Sequence, residues 1–252
     1  MNRVGEENVN NFGSKMIITK YRNNANVDIY FPEYSWTLEH ETYQNFKNGN
    51  IKCPYEQRHY GIGYIGEGSY RSRDKNKKKT KCYNTWKNML KRCYDLKVQE
   101  KQPAYVGCEV CDEWHNFQNF AQWYEENYYE VPGQRMELDK DILYKGNKIY
   151  SPDTCVFVPQ SINTLFTKSD TTRGDLPIGV SYHKQHKKYQ SRCTEKGVRR
   201  KHLGYYDTPE EAFVAYKTFK ENYIKQIADQ YVNLIPQSLY NAMINYEVEE
   251  DD

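Results

Sequence analysis

The chain has 252 residues, a formal net charge of +2 and a mean hydropathy of −1.02. Low hydropathy produces disorder when aromatics are scarce, and 25 Tyr, 9 Phe and 4 Trp argue instead for small folded units with wet surfaces. No apolar run approaches the ~20 residues that span a bilayer, and the start, MNRVGEENVNNFGSK, lacks the apolar segment of a secretory signal.

Residues 1 to 13 read as a polar, loose arm. MIITKYRNNANVDIYF reads as a hairpin, two β-rich runs around NNAN. Short strands and glycine turns follow, so residues 1–70 are expected to form a small β-rich module. RSRDKNKKKTK shows no apolar periodicity and reads as a flexible basic linker. NTWKNMLKRCYDLK is helical, with Trp86, Met89, Leu90, Cys93 and Leu96 on one stripe and Lys87, Lys91 and Arg92 off it. AYVGCEVCDEW suits a strand or tight hairpin. DEWHNFQNFAQWYEENYY is a second amphipathic helix, with Trp114, Phe117, Phe120 and Tyr124 inside.

After Pro132-Gly133, MELDKDILYKGNKIYSPDTCVFVP reads as two strands around a turn. PQSINTLFTK then starts a helix, with Pro159 suited to its first turn. Residues 169–176 read as a linker. IGVSYHKQ, KYQSRCTEK and VRRKHLGYYD read as three strands. A long helix begins at TPEEAF, where Thr208 is the expected N-cap, Pro209 the first helical residue and Glu211 the partner in a capping box. Residues 233–252 read as a short helix and an acidic tail.

Charge is segregated along the chain. Arg71 to Lys101 holds 12 basic and 3 acidic residues, and Arg173 to His202 holds 9 basic and 2 acidic. Two basic blocks interleaved with aromatics fit a polyanion, because phosphate contacts come mainly from Lys and Arg. The tail EVEEDD is complementary to either block. The seven cysteines are an odd number with no sign of export, so they read as reduced thiols in a cytoplasm.

TWKNMLKRCYD, VCDEWHNFQNF, LDKDI, YSPDTCVFVP and IN, between residues 85 and 163, together resemble phage HNH-type homing endonucleases. The resemblance implies a ββα His-Me finger within residues 71–168. It places Asp139 and Asn163 as ligands of Mg²⁺ or Mn²⁺ beside the scissile phosphate. The family histidine that deprotonates water is here Lys140, and Thr154 stands where a loop-bracing Asn is expected. An ordinary Lys, with a pKa near ~10.4, cannot accept that proton. Three readings stay open. Lys140 is an electrostatic helper to the phosphate, a neutralised base in a slow nickase, or part of a scaffold retained for binding. His59 and His115 are alternative bases.

CEVC supplies Cys108 and Cys111, which with Cys93 and Cys155 form a candidate structural Zn²⁺ site, weighed against plain core thiols. The stretch GVSYHKQHKKYQSRCTEKGVRRKHLGYYDTPEEAFVAY resembles the AP2/ERF-type DNA-binding domain, which implies residues 173–232 as a three-stranded sheet on a helix. The sheet would enter the major groove of duplex DNA. Its DNA face would carry Ser181, His183, Lys188, Arg192, Thr194, Arg200 and His202, with Tyr189, Ser191 and Cys193 toward the helix. Plant members carry Arg at the Ser181 position and Trp at the His202 position.

The expected whole is a modular α+β protein: a β-rich N-terminal part, a ββα core and a sheet-plus-helix C-terminal domain. It would act in the cytoplasm, that of the host cell if phage-encoded. The preferred expectation is metal-dependent nicking or cutting of duplex DNA, with the basic block 71–101, which includes Lys87, Lys91 and Arg92, clamping the backbone. The rival is a non-catalytic DNA-binding protein or regulator.

Overall fold

In the computed structural model, which describes residues 2–166, 175–195, 198–250 and 252 with the side chains of 198–200 excepted, the NNAN segment turns a hairpin as expected. Strands β1 (Glu7–Val9), β2 (Lys15–Asn23), β3 (Asn26–Phe31) and β4 (Trp36–Glu41) form an antiparallel sheet in sequence order. Met16, Ile18, Val27, Ile29 and Phe31 pack against Phe46 of α1 (Tyr43–Lys47), Ile51 and Cys53. Thr42 caps α1 by accepting from the Asn45 N–H.

The expected loose arm is instead tied down. β1 pairs with β2, and the buried Asn10 side chain holds Ile51 O at 3.0 Å and the N–H groups of Phe12 and Ser14 at 3.0 and 2.9 Å. Asparagine supplies both donors and acceptors, so a polar sequence can be structured without an apolar signal. The basic run after Tyr70 is likewise folded, into a tight turn bridged between Arg73 and Lys79.

Helix α2 (Lys81–Tyr94) starts at Thr80, whose side chain accepts from Tyr83 N–H. Trp86, Met89, Leu90 and Cys93 are buried, but Leu96 is 73 % exposed. The stripe ends early because Asp95 turns extended and its side chain caps the next helix, α3 (Leu96–Lys101). Strand β5 (Glu109–Val110) and a single 3-10 turn, Asp112–His115, lead into α4 (Phe117–Asn127). Trp86 donates to Trp114 O at 2.7 Å, joining α2 to that turn.

The chain divides into two compact units, Met1–Asn127 with Lys148–Pro152, and Tyr128–Asn147 with Asp153–Asp252. In the second unit β6 (Met136–Asp139) is the first strand. The two-residue β7 (Ile149–Tyr150) belongs to the first unit and pairs with β5. Then come β8 (Val156–Pro159), antiparallel to β6, and α5 (Gln160–Asn163). The order strand, loop, strand, helix is as expected.

Strands β9 (Val180–His183), β10 (Lys188–Glu195) and β11 (Val198–Tyr206) form a sheet with β10 central. Helix α6 (Pro209–Tyr231) opens with the expected capping box of Thr208 and Glu211, and α7 (Gln237–Ile244) follows. Ala212, Phe213 and Tyr216 of α6 cover Val180 and Cys193 of the sheet. Further along, Tyr223, Ile224 and Ile227 pack with Val156, Val158 and Ile162, together with Leu239 and Met243 of α7. One helix therefore serves both the ββα segment and the sheet. Most of the linker read at 169–176 lies outside the described residues.

Candidate nucleic-acid interface

The loop that leaves β6 is organised by its own polar side chains. Asp139 Oδ1 accepts from the N–H groups of Asp141 and Ile142 at 2.9 and 2.8 Å, an Asx-type turn. Burial pushes the Asp139 carboxyl up to about 6, and the Asp141 carboxylate beside it adds to the shift.

Lys140 is only 6 % exposed. Its Nζ donates to Asn147 O at 2.9 Å and to Asp141 Oδ2 at 3.1 Å, while Asn147 Nδ2 donates back to Lys140 O at 2.7 Å. The Lys140 side chain thus ties the two ends of the loop together. Asn147 was not singled out by its spacing, and only the folded loop brings it opposite Lys140. Asn163 ends α5, which packs on β6.

Asp139 and Asn163 fit a resident divalent ion poorly. One carboxyl, already accepting two N–H groups, and one amide make a thin donor set for Mg²⁺ or Mn²⁺. Among the described residues, no group of three or more His, Cys, Asp or Glu side chains is placed to hold a metal ion. The set Cys93, Cys108, Cys111 and Cys155 is therefore not gathered as a zinc site. None of these thiols is in a disulfide, Cys93, Cys108 and Cys155 are buried, and burial pushes the Cys111 thiol up, away from the thiolate a metal needs. His59 lies 5.0 Å from the Trp86 ring, and burial lowers its pKa to about 4. His115 bonds Val110 O at 3.0 Å. Both histidines are packing members of the first unit.

On the C-terminal sheet, Tyr189, Cys193 and Leu203 face α6. The opposite face carries Lys188, Gln190, Arg192, His202 and Tyr205. Lys188 pairs with Asp207 at 3.1 Å, and Arg192 stands opposite His202 across a register shift at Ser191. Ser191 is fully buried, as its expected inward direction requires. Gln190 is missing from the expected face and is its centre. It is 3 % exposed, with Nε2 at 2.9 Å from His202 Nδ1 and 3.4 Å from Tyr205 OH. His183 and His186 complete a ring cluster, at 5.2 and 4.5 Å from the Tyr205 ring. Thr194 and His202 are exposed and His183 half-buried. The Arg200 side chain lies outside the described residues.

Among the expected backbone contacts, Lys91 is exposed and Lys87 half-buried. Arg92 is half-buried, with its guanidinium 5.3 Å from the centre of the Tyr105 ring.

The acidic tail is docked within the second unit. Lys145 bonds Glu249 at 2.9 Å, Asp252 at 2.8 Å and Glu247 O at 3.0 Å, and Val248 is 2 % exposed against α6. Neither large basic block is its main partner. Replacing Lys145 by Ala is expected to open residues 247–252 to cleavage after glutamate. The stability change is expected to be about 1 kcal/mol or less, since these pairs are partly exposed. Limited proteolysis and urea unfolding check both.

Comparison of the chain with protein-family models, with curated proteins and with solved structures finds no match.

Proposed function

We propose that this chain binds duplex DNA, and that its ββα segment serves as scaffold for the binding surfaces. The observation that carries the reading is the role of Lys140. The group that stands in the histidine position is buried and bonded at both ends of its loop, so it is directed into the loop rather than outward. The sheet face opposite α6 supplies cations and imidazoles where an acceptor-rich groove edge or phosphate can meet them, with the buried Gln190 amide holding His202 and Tyr205 in place. Each of these groups stands on a strand backed by α6, so little ordering is left for the moment of binding.

A second reading, metal-dependent nicking, is favoured by one observation. A carboxyl held up to about 6 is the sort of perturbed group that gathers at reactive sites.

One pair of assays separates them. Fluorescence anisotropy with a short labelled duplex is expected to show binding that weakens steeply with salt. Supercoiled plasmid is expected to stay intact with Mg²⁺, Mn²⁺ or EDTA. Metal-dependent nicking that disappears in both Asp139→Ala and Asp139→Asn would reverse the choice in favour of the enzyme. Salt-insensitive or absent DNA binding would remove the DNA reading altogether.

A further inference from the structure

Several part-exposed lysines of the folded chain have an acidic neighbour. Lys15 pairs with Glu7, Lys145 with Glu249, Lys188 with Asp207, Lys201 with Glu195 and Lys217 with Glu221. The segment 71–81 differs in the density of its cations on one turn. It carries seven basic residues and one acid, Asp74. Among the described residues, Lys75, Lys77, Lys78 and Lys79 have no ion-pair partner, and all four are exposed.

Asp74 forms no ion pair with them; its carboxylate is engaged with the backbone of the turn. Its Oδ1 accepts from the N–H groups of Asn76 and Lys78, both at 2.9 Å. The backbone closes the same turn, with Asp74 N–H to Lys78 O at 2.8 Å and Lys77 N–H to Asp74 O at 3.0 Å. Arg73 adds a bond to Lys77 O at 2.6 Å, and Arg73 and Lys79 form a bridge below. At the tip Lys77 sits at φ +62, a left-handed conformation where Gly or Asn is the ordinary occupant. Lysines gathered on one tight turn repel one another, and a side-chain-bearing residue at that φ adds strain. A polyanion laid across the turn relieves the repulsion.

We propose that residues 71–81 are a preorganised clamp for the phosphate backbone of nucleic acid, in which Asp74 is a positioning residue that holds Lys75, Lys77, Lys78 and Lys79 in place. This rests on the DNA-binding reading and deepens it. The lysines bind phosphate directly. Asp74 acts through the turn, so its effect on binding has the opposite sign from its charge.

The test uses the full chain, a labelled duplex and anisotropy across a salt series, with four proteins: wild type, Asp74→Asn, Asp74→Ala and the triple variant Lys77→Ala, Lys78→Ala, Lys79→Ala. Asn keeps the oxygen that accepts from the turn and removes the negative charge, so D74N is expected to bind as tightly as wild type or tighter. Ala removes the acceptor as well, and D74A is expected to bind several-fold more weakly although it too is less negative. The triple variant is expected to lower the salt slope by about 2 to 3, near 0.9 for each lost phosphate contact. Amide exchange at Lys78 is expected to quicken in D74A and not in D74N.

D74A that binds as tightly as D74N would overturn the positioning role. A triple variant with wild-type affinity and slope would overturn the clamp while leaving the DNA reading in place. Wild-type protein that binds no DNA would sink both.

Discussion

Asp139→Asn is expected to stabilise the protein at pH 7.5 by about 1–3 kcal/mol, the free energy of holding a carboxyl roughly two pH units above its usual range. Asn keeps the oxygen that accepts from Asp141 and Ile142, so the turn survives. What disappears is the buried charge that burial and Asp141 oppose. In wild type the folded state holds this proton more tightly than the unfolded state, so stability falls as pH rises from about 4 through about 6. The variant has no such titration. Its advantage should be absent below pH 4, grow between 4 and 6, and be complete above. Urea unfolding across this range reads the effect directly.

Asp139→Ala, which loses the acceptor, should instead be destabilised by about 1 kcal/mol relative to Asp139→Asn at every pH. Lower stability of Asp139→Asn at pH 7.5 would mean that a partner holds the ionised carboxylate. Millimolar Mg²⁺ that raises the melting temperature of wild type but not of Asp139→Asn would identify that partner as a cation and revive the nicking reading.

Gly179→Ala is the second variant with a large expected effect. Gly179 precedes β9 at φ +76, and a Cβ there would stand 2.0 Å from Tyr216 Cδ2 and 2.5 Å from Cε2. Tyr216 is buried in the core between α6 and the sheet, so it has little room to retreat. A left-handed non-glycine residue costs about 1–2 kcal/mol and overpacking a core about 1–3 kcal/mol. The sum is about 2–5 kcal/mol, enough to unfold the sheet from α6 in a domain of ordinary stability. Gly146→Ala is the matched control. It has φ +80 and nothing within 4 Å of the added carbon, so only the backbone part of the loss should appear. Equal urea midpoints for the two variants would show that Tyr216 does not close on Gly179.

The ββα order and the capping box at Thr208 were legible because each is written within a few neighbouring residues. Leu96 shows where local reading stops. It continues the stripe of α2 in sequence, yet Asp95 prefers to cap α3, and one extended residue turns Leu96 to solvent. The same limit hid Gln190. Strand alternation places it on the outward face, but its importance comes from His202 and Tyr205, which the antiparallel register brings alongside it.

Composition, periodicity and capping residues by themselves determined that this chain folds as mixed α and β elements, where several of them begin, and that cations are concentrated in two blocks. Those properties depend on contacts a few residues apart or on simple counts. Tertiary structure alone decided what the polar side chains do. It turned Lys140 into a brace to Asn147, drew the acidic tail onto Lys145, and made α6 common to the ββα segment and the sheet. The physical reason is that a buried charge or amide must find its partner wherever the folded chain supplies one. That partner is set by how elements pack, which neighbouring residues do not encode.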